Sequence, residues 1–169
     1  MRGILQRHAA PATRFVVEQS AQALGPAHPD FGRFVELTLK YSSQDFGVHD
    51  GLRTEAEQRE YVRTGASQTM DSLHRKQADG WGHAGDLVPF INGKLRWEWG
   101  PIYVIAAAAK RAAAELKLRV RWGGCWQELS QIKGHTPEDM VRAVADYGAA
   151  RRKARKKVFT DGLHFELIR

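Results

Sequence analysis

The chain has one cysteine, Cys125, so no intramolecular disulfide can staple it, and any metal site must draw on histidine and carboxylate donors. No stretch approaches the ~20 consecutive apolar residues of a membrane span. The opening MRGILQRHAAPATRF lacks an apolar run of signal-peptide length, so the chain is expected to stay in the cytoplasm until something else releases it. No repeats and no long linker divide it. At 169 residues, 43% hydrophobic and 27% charged, it suits one domain spanning 1–169, with a core of its own, rather than a disordered chain. Acids are outnumbered, 19 against 26 Lys and Arg, for a net charge of +7. That excess is local. Without the six cations of RRKARKK (Arg151 to Lys157), 20 basic residues face 19 acids. A surface that tracks phosphates spreads its cations and interrupts them with aromatics, so nucleic acid is not an expected partner.

The pattern of elements is mixed. Apolar residues at helical spacing mark helices over Ala12 to Leu24 and Asp30 to Ser42, and FGVHDGLR reads as a short strand running into a turn. Thr54 and Glu57 form a capping box, and Gly65 closes the helix it opens. Leu87 to Ile91, Asn92-Gly93 and Lys94 to Trp97 call for a hairpin with a two-residue type I′ turn. Pro101 suits the first position of an Ala-rich helix over Ile102 to Lys117, followed by RVRW as a strand. Thr136-Pro137-Glu138-Asp139 caps a last helix whose Met140, Val144 and Tyr147 share a face, and Leu163 to Ile168 ends as a strand. The fold class is α+β, a small antiparallel sheet covered by helices.

SLHRKQADGWGHAGDLVPF (Ser72 to Phe90) gathers two histidines and two aspartates. If Ala84 to Val88 is extended, Asp86 and His83 point to opposite faces and cannot share an ion. His74, in the preceding loop, is the better partner for Asp86. DGLHFEL supplies a third donor: on a strand from Leu163, His164 and Glu166 share a face, with Asp161 in the turn before. Glu166 either orients a histidine ligand or is an exposed strand residue.

Ser72-x-His74, Gly82-x-Ala84-x-Asp86 and Asp161-x-x-His164 resemble the zinc motifs of the D-Ala-D-Ala carboxypeptidase/dipeptidase family. GLRT at 51–54, RWGG at 121–124 and the HAxDLVP stretch resemble its phage branch, the L-alanyl-D-glutamate endopeptidase endolysins. The resemblance runs from about Pro29 to Leu167. It implies a hedgehog and D-Ala-D-Ala peptidase-like fold with its zinc site on the sheet. Zn2+ would sit on His74, Asp86 and His164, with Asp161 as general base and Arg53 binding the polarised carbonyl oxygen. Read without the family, Arg53 would instead pair with Glu55 or Glu57.

The implied function is that of a zinc metallopeptidase cutting the L-Ala–D-Glu bond of peptidoglycan stem peptides. It would be a monomer of the host cytoplasm that reaches the wall after a separate phage protein permeabilises the membrane. Two other readings stand beside it: a D-Ala-D-Ala type carboxypeptidase or dipeptidase, and a non-catalytic basic module for nucleic acid or an anionic envelope polymer.

The departures from the family pattern carry expectations of their own. Seven residues part His74 from Gly82 where the family has two, and the excess should bulge above the site. Cys125 stands where such endolysins often carry Asp, and reads as a small buried hydrophobe rather than a nucleophile. A helical insertion over about 127–158 carries RRKARKK. Arg151, Arg152, Lys153, Arg155, Lys156 and Lys157 either draw the enzyme to the anionic envelope or to the substrate's carboxylates, or complement the helix dipole.

Overall fold

The computed structural model describes residues 20–168. The opening segment and most of the helix expected over Ala12 to Leu24 lie outside them, and 20–24 is helical. Helix α1 (Pro29–Tyr41) begins with proline at its first turn and a His28 ring that accepts from the Asp30 N–H, and it buries Phe31, Phe34 and Val35. After β1 (Phe46–Val48) comes α2 (Glu55–Thr64). Thr54 and Glu57 close its capping box, and Gly65 ends it in the left-handed region at φ 79°. Strand β2 (Ala84–Ile91) turns through Asn92 and Gly93, both at positive φ as a type I′ turn requires, into β3 (Lys94–Leu95).

Helix α3 (Trp99–Leu116) starts two residues before Pro101, so that proline is its third residue and not its first. A proline in the first turn costs nothing, because the N–H groups there have no partner inside the helix. Then follow β4 (Val120–Trp122), β5 (Gln127–Glu128), a 3-10 turn (Leu129–Gln131), α4 (Pro137–Lys153) and β6 (His164–Leu167). Thr136 and Asp139 form the capping box of α4, whose Met140 is fully buried with Val144 and Tyr147 packed beside the core.

The sheet is antiparallel in the order β1-β2-β6-β4-β5, with β3 paired to β2. Its centre decides the site. β6 pairs with β2 so that Asp86 lies opposite His164, and with β4 so that Arg121 lies opposite Glu166 and Trp122 opposite Phe165. Residues opposite each other in an antiparallel pair share a face. Trp122 and Phe165, both fully buried, therefore face the helices, where Phe165 meets Phe34 at 6.0 Å and Trp122 meets Tyr103 at 6.4 Å. Burying each such ring contributes about 1.5–3 kcal/mol. Asp86, His164, Glu166 and Arg121 are left on the other face.

Candidate metal centre

Three segments bring the expected donors together. Asp86 and His164 meet because their strands pair in that register. His74 arrives from a segment held from both sides: the Arg53 N–H donates to the His74 carbonyl (2.8 Å), and the His83 N–H to that of Leu73 (2.7 Å). His74 Nε2 and His164 Nδ1 lie 3.0 Å apart, and each is 3.4 Å from Asp86 Oδ1. His74, Asp86 and His164 form a group that could hold a metal ion.

The neighbours of these side chains decide which atoms they present. His74 Nδ1–H donates to the Gly51 carbonyl at 2.8 Å, which leaves the Nε2 lone pair facing the site. His164 Nε2–H donates to Glu166 at 2.9 Å, which aims Nδ1 inward, and Glu166 is itself ion-paired with Arg121. Glu166 is thus buried and orients the histidine; it is not an exposed strand residue. Asp86 Oδ2 lies 3.6 Å from the Arg53 guanidinium, whereas Oδ1 is a buried oxygen with no hydrogen-bond partner. An orphaned carboxylate oxygen between two imidazole lone pairs is costly unless a cation completes it. The donor set of two nitrogens and one oxygen suits zinc.

The electrostatics agree. Burial works to raise the Asp86 pKa, but His164 and His74 outweigh it and hold the carboxyl well below the usual carboxylate range. Burial works to lower His164, yet Asp86 and Glu166 override it and push the ring up to about 9. A proton and a metal cation compete for Nδ1.

Asp161 stands in the turn before β6. Its N–H donates to the Gly123 carbonyl (2.9 Å), and its own carbonyl accepts from His164 (3.3 Å). Gly123 is required here, since a Cβ would collide with the Asp161 carbonyl. Burial, then the charge of Asp86, pushes the Asp161 carboxyl up.

Arg53 does not pair with Glu55 or Glu57. It donates to Asp50 (2.7 Å) and Gln58 (3.3 Å) and lies over the Tyr61 ring, while Glu57 is committed to its capping box. Asp50 and Gly51 steer Arg53 and His74, a role that neither the turn-forming His-Asp-Gly-Leu-Arg run nor the GLRT motif reveals.

His83 is turned away from the cluster, bonded to Asp79 at 2.9 Å and edge-on to the His28 ring. Cys125 is buried in the core, where burial pushes its thiol up. The segment 76–81 does not rise above the site. It closes on itself, with Gln77 and Trp81 bonded backbone to backbone, and a cleft of about 530 Å3 is lined instead by 66–69 and 71–74. Arg53, His74, Asp161 and His164 line this cleft too, as do Trp126 and Phe159, stacked at 5.8 Å.

Residues 14–146 match the family model of the phage L-alanyl-D-glutamate peptidase. The match ends before Asp161 and His164, so these two join the site through the pairing of β6. The chain is 28% identical to the L-alanyl-D-glutamate peptidase of Escherichia phage T5 over 132 residues, 78% of this chain and 92% of that protein. The crystal structure of the Serratia marcescens L-Ala D-Glu endopeptidase ChiX superimposes with a TM-score of 0.64 at 36% identity, covering 89% of this chain and 86% of that one. With the family match spanning most of its length, the chain belongs to the phage L-alanyl-D-glutamate peptidase family.

Proposed function

We propose that this protein is a zinc endopeptidase of the endolysin type, which cuts peptidoglycan stem peptides between L-Ala and the γ-linked D-Glu. The observation that carries the metal part is the convergence of His74 Nε2, His164 Nδ1 and the partnerless Asp86 Oδ1. The bond cut rests on the activity named for the phage T5 and Serratia relatives.

His74, Asp86 and His164 would hold the zinc, which would supply Lewis acidity and a water activated for attack near neutral pH. The protein's own groups do the rest. Asp161 accepts the attacking water's proton and passes it to the leaving amine. Arg53, fixed by Asp50 and lining the cleft, stabilises charge on the scissile carbonyl oxygen. Glu166 and Gly51 keep the two imidazoles in the required tautomer.

No helix among the described residues is long and apolar enough to cross a membrane. Access to the wall through a breach made by another phage protein belongs to the same proposal.

Digestion of purified peptidoglycan followed by mass spectrometry tests this reading. The expected products carry a new L-Ala carboxyl terminus and a new D-Glu amino terminus, and chelation stops their release. Release of free D-Ala would point to a carboxypeptidase instead.

A further inference from the structure

Part of the cleft wall comes from α4 and the chain leaving it, through Tyr147, Arg151, Lys157 and Phe159. Among the described residues, four Lys and Arg side chains line the cleft, and they differ in what they are committed to. Arg53 is held by Asp50 and Asp86, and Arg121 by Glu166. Among the described residues, Arg151 donates only its Nε–H, to the Lys157 carbonyl at 3.0 Å, and its terminal N–H groups have no partner. Neither Arg151 nor Lys157 has a carboxylate partner among the described residues.

The backbone explains how two members of one basic run reach the cleft while four do not. Helix α4 ends at Lys153, and Arg155 takes the left-handed region at φ 53°. The Arg155 and Lys156 N–H groups bond back to the carbonyls of Arg152 and Arg151, which folds the chain over and returns Lys157 to the side of Arg151. Arg152, Lys153, Arg155 and Lys156 do not line the cleft, and the Arg152 guanidinium lies back against Gly148 of its own helix.

We infer that Arg151 and Lys157 form an anion subsite that reads a free carboxylate on the substrate residue following the scissile bond. The inference rests on the L-Ala–D-Glu reading and adds a specificity element to it. A D-Glu joined onward through its γ-carboxyl keeps its α-carboxylate free, one residue past the cleaved amide. Asp161 and Glu166 at the metal end, and Asp71 elsewhere on the wall, would repel that charge. Two uncommitted cations offset them, and a guanidinium can hold a carboxylate through two parallel hydrogen bonds.

The test compares two synthetic peptides, acyl-L-Ala-γ-D-Glu-L-Lys and its D-isoglutamine counterpart, in which the α-carboxylate is a neutral amide. The parent enzyme is expected to favour the carboxylate by about tenfold or more in kcat/KM. An Arg151→Gln, Lys157→Gln double variant should cut both peptides at about the parent's rate on the amide. Arg151→Lys should retain part of the preference, and Arg152→Gln with Lys153→Gln all of it. An unchanged preference in the double variant, no preference in the parent, or equal loss of both peptides overturns the subsite, because a carboxylate contact does not touch the amide's rate. If the parent cleaves neither peptide between L-Ala and D-Glu, the underlying reading fails and the subsite with it, a result visible before any variant is made.

Discussion

Replacing His164 with alanine is expected to abolish both metal retention and wall lysis. His164 supplies one of three donors, and two donors do not hold a zinc ion firmly against water and chelators. His74→Ala and Asp86→Ala should have the same effect, since each removes a donor atom within 4.8 Å of the other two. His83→Ala is the matched control. It removes a buried imidazole from the strand entry beside Asp86, but that ring bonds Asp79 on the far side, so metal and lysis should survive. Metal content by mass spectrometry, with circular dichroism to verify folding, checks all four. Loss of metal in His83→Ala with retention in His74→Ala would reverse the assignment.

Asp161→Asn separates chemistry from assembly. Asparagine keeps the size of the side chain and an oxygen to accept from the Leu163 N–H, and two further bonds that fix the turn, Asp161 N–H to Gly123 and His164 N–H to the Asp161 carbonyl, belong to the backbone. An amide cannot take the proton from attacking water. The variant is therefore expected to fold, to bind metal as the parent does, and to lose roughly 10²-fold or more in kcat. Near-normal turnover on a soluble stem peptide would remove Asp161 from the mechanism.

Local signals carried most of the elements. The capping boxes at Thr54 and Thr136 and the Asn92-Gly93 turn are set by nearest neighbours, and they appear where the residues indicated. Pro101 misled by two residues because the first turn of a helix accepts proline at several positions. Strand alternation separated His83 from Asp86, since period-two geometry needs no tertiary knowledge.

What the sequence could not supply was register and return path. That Asp86 faces His164, 78 positions apart by number, depends on how β2 and β6 pair, which only the folded sheet determines. The commitment of Arg53 to Asp50 required a turn geometry that GLR does not reveal. The division of RRKARKK into cleft-lining and outward cations depends on one left-handed residue, Arg155, in a run whose composition looks uniform. The excess between His74 and Gly82 folded aside because its own backbone bonds closed it, where spacing alone suggested a cover for the site.

X-ray absorption at the zinc edge on the purified protein reads the ligand set itself. One zinc per chain is expected, with two imidazole nitrogens and one carboxylate oxygen near about 2.0–2.2 Å and no sulfur. A sulfur scatterer near about 2.3 Å, which only Cys125 or a methionine could supply, or a folded and lytically active protein that binds no zinc, would contradict it.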